Sequence, residues 1–566
     1  MKNSFRLAFF VFVGGGLLVG GALGFPSAVD NPQNGAARVA DLVHELMMVS
    51  TPTRSQAEYQ KALESYRRIQ KTLSDVNRAR LDLDNQVDYD LLDAGLKIRI
   101  RELEKIRTYE VNPESYLAVN AASDLLLRPE SNPESVIRAA IRELKNLPVI
   151  LASGKKNLKN PARIWTENAL YQAGYAKKFL SDELGQVTVN NAVLKKELMD
   201  AAAKAVKDVE DYEAWMKADL MPRSTRTPTW DPQDLEYIQK VGNQLDDYPL
   251  AVMLKIGLEE EIKCTEEMTA LAKKIHHSGD LKKVWDLMKD DAPPWEGVVP
   301  LACNYVDLMT NWLKGPGSHL MTISDRIEYG VAICPPMSRR PLSFGGAYTD
   351  SRFPGGRVGG YYVMTPLEDR LTPEEKASRI KGYNPYQVNV TSYHEWLGHI
   401  IQLNTFALRP DKRPIRGDLG EGSGFSQSWS FYLEKLMEDE GFFKTLPYMD
   451  ELKTRMGRLQ MRMWRIQRII TKIKMAKGEM TFEEAVDAYV NKIGMEYGNS
   501  YIEVQRDSGY CRPPGSEIIG EMEILKLRDD YKRYMGEHYT IKKFHDTLIS
   551  LGEIPFKQMR RLIFGE

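Results

Sequence analysis

LKKELMDAAAKAVKDVEDYEAWMKA, residues 194–218, runs for 25 positions without proline or glycine. Its apolar residues return at helical rather than strand spacing, with charged residues between them. The same pattern recurs in ALESYRRIQKTL (62–73), VDYDLLDAGLKIRIRELEKI (87–106) and PESVIRAAIRELKNL (133–147). The chain from Arg38 to about Asp290 therefore reads as largely helical, with Pro and Gly at the helix ends and a solvated charged face on each helix. RPLSFGGAYTDSRFPGGRVGGYYVMTPL (340–367) breaks the pattern, being rich in Gly, Tyr and β-formers. It reads as a short hairpin or sheet edge. Helices resume at about Tyr386, after the Asn384-Pro385 break, and run to the C-terminus. The fold expected is mainly α, a large helical unit over 29–566 with a small β element. Residues 29–290 form its N-terminal half, and 291–566 carry the chemistry.

Lys2 and Arg6 precede an apolar run, Leu7 to Leu23, that ends in Gly24, Pro26 and Ala28. Residues 1–28 read as a secretory signal cleaved between about Gly24 and Ala28, or as an uncleaved N-terminal anchor. With no cysteine at its end, lipid attachment is not expected. The mature chain is expected to be soluble and exported, periplasmic or secreted. Without Lys2 and Arg6 the 77 basic residues fall to 75 against 78 acidic, a net charge of −3. That balance argues against nucleic acid as a main partner. Cys264, Cys303, Cys334 and Cys511 form no C-x-x-C pair, so they suggest no thiol-ligated zinc, although export permits a disulfide or two.

The segment with most chemistry is YHEWLGHIIQ, residues 393–402, in a chain with eight histidines. His394 and His399 flank Glu395 as the ligands and general base of a zinc hydrolase do. The spacing is H-E-x-x-x-H, however, one longer than the common H-E-x-x-H. On a regular helix, residues five apart lie about 140° apart, against about 40° for residues four apart. A single π-turn returns such a pair to one face, and Gly398 is a residue type that tolerates the strain. A third ligand is expected downstream, in GEGSGFSQSWSFYLEKLMEDEG (420–441). Glu421 and Glu434 are the candidates, Glu434 on a helix whose Gln427, Phe431 and Glu434 share a face.

Further stretches make the chain resemble the domain of unknown function 885 family, viewed as zinc metallopeptidase-like. They are Tyr89-Asp90-Leu91-Leu92, Gly345-Gly346-Ala347-Tyr348, the His394 motif through Gln402, and Ser428 through Glu434. The C-terminal GEMTFEEAVDAYV, IIGEMEILKLRDDYKRYMG and KKFHDTLISLGEIPF complete the set. The similarity spans about 40–560. HEWLGH also resembles the H-E-x-x-G-H of dipeptidyl peptidase III. Two departures stand out: the family's second consecutive histidine is Ile400 here, and the glutamate preceding its Gly-Trp is Gln427.

One zinc ion is expected on His394 and His399, with Glu395 as base; the family glutamate that would best supply the third ligand falls on Gln427, so Glu434 or Glu421 would have to complete the site. Tyr348 is the expected oxyanion donor, with Tyr361 and Tyr362 behind it. Gln427, Arg506 and His545 are expected to line the substrate site. The function expected is an exported zinc-dependent peptidase acting on short peptides. A catalytically impaired peptide-binding or scaffold protein is the rival, and a metal-dependent amidase or esterase is a further alternative. Oligomeric state is left open.

Overall fold

The computed structural model describes residues 32–369, 371–417, 424–447 and 449–566. The leader expected over 1–28 lies outside them. The opening run forms the α-helix Ala192–Trp215 and ends in the π-helix Met216–Leu220, and the Asn191 side chain caps the N-terminus by accepting from the Val193 and Leu194 amides. Leu194, Leu198, Ala201, Ala202, Ala205, Val209 and Tyr212 are its buried stripe. It packs against helix Glu134–Asn157, and the two anchor a separate apolar core drawn mostly from residues 116–220. A larger core takes residues from Val39 to Met559, so it joins the first helices to the last. Among the described residues no helix is long and apolar enough to cross a membrane. All four cysteines are free thiols.

The β element has three strands: β1 (Ile327–Ile333), β2 (Gly345–Asp350) and β3 (Val358–Met364), in the order β1-β3-β2. β2 and β3 run antiparallel as the sequence suggested, while β1 adds a parallel pairing from outside the 340–367 stretch. Its two faces have different neighbours because side chains alternate along a strand. Tyr348 lies opposite Tyr361, and both belong with Val363 to a small cluster that includes Leu127, Cys334 and Leu342. Ala347 lies opposite Tyr362, and with Met364 they join the large core. That second face receives the histidine helix.

The histidine helix, 385–407, is continuous: α-helix Pro385–Tyr393, π-helix His394–Ile401, then α-helix Gln402–Ala407. Asn384 caps it, its side chain accepting from the Gln387 amide. All eight residues of the π segment are buried. The serine helix, Phe425–Asp439, lies against it, and the next α-helix in sequence, Glu451–Ala476, carries a stripe of arginines. A Cβ on Gly398 would fall 2.4 Å from Ser430 Cβ and 2.7 Å from Ser430 Cα. On the serine helix's other contact, with helix Ser516–Met535, a Cβ on Gly520 would fall 2.2 Å from Ser428 Cβ. Glycine at 398 is thus required by helix approach, a stricter demand than backbone strain.

Gly398→Ala should overpack this contact and cost about 1–3 kcal/mol, read as a lower denaturant midpoint with the slope unchanged. Adding Ser430→Gly should restore only part of the loss, because the backbone at Ser430 also lies within 3 Å of the added methyl.

Candidate metal centre

The π-turn puts His394 and His399 side by side, ring centroids 5.1 Å apart and planes at 75°. One ligand atom each from His394, Glu395 and His399 all lie within 4.8 Å of one another. The serine helix holds the two imidazoles from behind. His394 Nδ1 is 2.8 Å from Glu434 Oε1, and His399 Nδ1 is 2.7 Å from Ser426 Oγ. With Nδ1–H of His394 donating to the carboxylate, Nε2 keeps its lone pair for a ligand, the arrangement that orients metal-binding histidines. His399 turns its Nε2 toward Glu395, 4.0 Å from Oε2. Glu395 is also held by the Ala347 amide of β2, while Oε2 has no hydrogen-bond partner among the described residues.

Burial sets the electrostatics. His394 and His399 are 2 % and 3 % exposed. Desolvation holds both imidazoles well below their usual range, with added repulsion from Arg465 on each, so both are neutral near pH 7. Desolvation raises the Glu395 and Glu434 carboxyls to about 7, opposed by Arg465. Neutral imidazoles, a carboxylate with an open oxygen and second contacts on both rings fit a zinc ion chemically.

Several expected residues fall elsewhere. Glu434 orients His394 and is not one of the three clustered groups. Glu421 lies outside the described residues. The row facing the histidines is Ser426, Ser430 and Glu434, at i, i+4 and i+8, rather than Gln427, Phe431 and Glu434. The helix is rotated so that Phe431 lies beneath the Arg462 guanidinium, 5.6 Å from its ring centroid. Gln427 is half-buried beside Ser426.

Tyr348 is not the oxyanion donor, because strand alternation puts it on the far face of the sheet. Its hydroxyl donates to the Asp124 carboxyl there. Tyr361 shares that face, its hydroxyl accepting from Arg128 Nε at 2.7 Å. Of the three tyrosines Tyr362 faces the histidine helix, in contact with Thr391 and Ser392 and within electrostatic reach of Glu395. Arg506 is spent on Glu503 at 3.0 Å, although its charge still reaches Glu395. His545 is a core residue: fully buried, Nδ1 2.9 Å from the Leu320 carbonyl and Nε2 3.0 Å from the Tyr432 hydroxyl.

Two side chains at the centre were not expected. Ser426 gives little signal in the sequence, being one serine among four between 423 and 430. Arg465 had one: Arg458, Arg462, Arg465, Arg468 and Lys472 recur every three or four positions and form a single helical stripe.

The family described as "Bacterial protein of unknown function (DUF885)" matches residues 49–563. The chain belongs to this family. No curated protein matches it. Among solved structures it is similar to a "putative lipoprotein of unknown function" from Shewanella oneidensis, at 17 % identity with a TM-score of 0.68. That match covers 94 % of this chain and 99 % of the other. It is also similar to a "putative lipoprotein" from Colwellia psychrerythraea, at 14 % identity and a TM-score of 0.72, covering 94 % and 98 %. At these identities the likeness shows a shared fold. The DUF885 chain described here shares that fold over 94 % of its length.

His545 makes a pH prediction. Burial lowers its imidazole to about 4, below an ordinary value near 6.5. The unfolded chain takes up a proton first as pH falls, so this contribution is complete above pH 6.5 and is lost on the way to pH 4. The loss is on the order of 3 kcal/mol at one proton. Urea unfolding at a series of pH values should show a flatter decline in this window for His545→Asn than for the wild type.

Proposed function

We propose that this chain is an exported zinc-dependent peptidase acting on short peptides. The observation that carries the reading is the buried cluster of His394, Glu395 and His399, with both imidazoles held at Nδ1 by the serine helix. His394 and His399 would hold the ion. When bound there, zinc supplies Lewis acidity, enough to bring the pKa of water toward about 7. Glu395 does the proton work. Burial raises its carboxyl above the ordinary carboxylate range, and Oε2 is the open atom for taking a proton and returning it. Glu434 keeps His394 in one tautomer and one orientation. Export is supported by the leader-like N-terminus and by the lipoprotein descriptions of two proteins of similar fold.

A second reading has its own support. The position expected to supply a third carboxylate is Gln427, and Glu434 is already engaged on His394. On that reading the fold binds peptides or serves as a scaffold without turnover.

Metal analysis of the purified chain separates the two. The peptidase reading expects about one zinc per chain, and no more than trace metal in His394→Ala and His399→Ala. Glu434→Gln should lower zinc affinity roughly 10–100-fold. Glu395→Gln should keep the metal and lose on the order of 10²–10⁴ in peptide hydrolysis. Trace metal in the wild type would leave only the second reading. Hydrolysis of acyl esters in preference to peptides would reassign the substrate.

A further inference from the structure

The arginine stripe on helix Glu451–Ala476 is neutralised residue by residue, with one exception. Arg458 reaches Glu438 and Glu267. Arg462 reaches Glu260 at 2.6 Å and Glu521 at 2.7 Å. Arg468 reaches Glu517 at 2.7 Å and Glu503 at 3.2 Å. Arg465, 4 % exposed, reaches no carboxylate within hydrogen-bonding distance. Its nearest is Glu434 Oε1 at 3.8 Å, and that oxygen is already 2.8 Å from His394 Nδ1. Arg465 Nη1 lies 3.8 Å from the Met461 sulfur, and Nε has no hydrogen-bond partner among the described residues.

A guanidinium has five N–H donors in a planar fork that matches a carboxylate two bonds at a time. Burying that charge with Nε unbonded and Nη1 on a thioether sulfur is costly, even with the guanidinium 4.6 Å from the Trp464 ring centroid. The position also has meaning. Arg465 is one carboxylate away from His394, and its charge acts on His394, Glu395, His399 and Glu434 alike. In a peptide, the last scissile carbonyl and the terminal carboxylate are separated by one residue, ~3.8 Å between consecutive Cα atoms. A receptor for that carboxylate has to sit close to the cleavage centre, and Arg465 lies one carboxylate, Glu434, behind His394.

We propose that Arg465 receives the free C-terminal carboxylate of a peptide substrate, so that the chain acts as a carboxypeptidase. The inference rests on the peptidase reading above and narrows it from peptides in general to the last residue of a peptide. The reaction is simple hydrolysis. The oxygen of water bonds to the penultimate acyl carbon, the C–N bond breaks, and the released amino acid carries the transferred proton on its amine. Arg465 takes no part in bond making; it fixes which bond is presented.

The test uses the full chain with Glu395→Gln to stop turnover, titrated calorimetrically with N-acetyl-trialanine and with its C-terminal amide. The free acid should bind at least tenfold more tightly than the amide. Arg465→Gln in the same background should bring the acid down to the affinity of the amide and leave the amide unchanged, and Arg465→Lys should keep only part of the preference. The turnover-competent chain should shorten a free peptide one residue at a time from its C-terminus and leave the amide intact. Equal binding of acid and amide overturns the inference, as does an acid preference that survives Arg465→Gln. If Arg465→Gln does not fold, the acid–amide comparison on the Arg465 chain decides alone. Equal cleavage of acid and amide would discard the terminal specificity and keep the peptidase; binding of neither probe would discard both.

Discussion

The contact on which the site depends is the one between Gly398 and Ser430, where the missing side chain of the glycine lets Ser430 pack directly on the histidine helix. It fixes the histidine helix against the serine helix at the point where the π-turn inserts its extra residue. Ser426 and Glu434, one turn to either side of Ser430, then meet His399 and His394. A three-residue row on one helix thereby sets both imidazoles, which lie five residues apart on the other. Neither helix could do this alone: without the wide turn the rings diverge, and without the close approach the serine and the glutamate fall short. The sheet completes the enclosure, the Ala347 amide of β2 holding Glu395 from the opposite side.

Around this contact the protein concentrates charge that it does not expose. Arg465, Arg468 and Arg506 stand against Glu395, Glu434, Glu503 and Glu517, most of them buried. Glu503 and Glu517 carry the direct ion pairs, and these arginines hold their carboxyls below the usual range despite burial. Glu395 and Glu434 lack such pairs, and burial lifts both to about 7. The division follows from geometry. Acids within hydrogen-bonding distance of a guanidinium are held below the usual carboxyl range, and those farther from one are raised by burial.

Much of this was legible in the chain. Helical periodicity, the Asn384-Pro385 start and the Gly-Tyr stretch located the helices and two of the three strands, and the five-residue histidine spacing implied the π-turn. What the sequence left open was direction. Whether Tyr348 or its neighbour faces a helix depends on a one-residue register that alternation leaves undetermined until the sheet is placed. Which acid binds and which orients depends on the rotation of the serine helix, invisible in a stretch where Gln427 and Glu434 share a face. His545 matched a family position, yet two satisfied ring nitrogens make it a core residue. Arg465 was overlooked because a charged stripe on a helix usually faces water, and this one faces buried acids.

The π-turn has a consequence beyond the site. Removing one residue would convert HEWLGH to the common five-residue motif, and an α-turn in place of the π-turn would return the second histidine and the residues after it to nearly the same directions. Ile400 and Ile401, buried in the core, and Asn404, whose side chain donates to the Gly359 carbonyl at 3.2 Å, would keep their faces. The two motif lengths are therefore one residue apart on a single helix path. The longer form carries its extra residue as a local swelling that the flanking turns and the sheet beneath them do not feel.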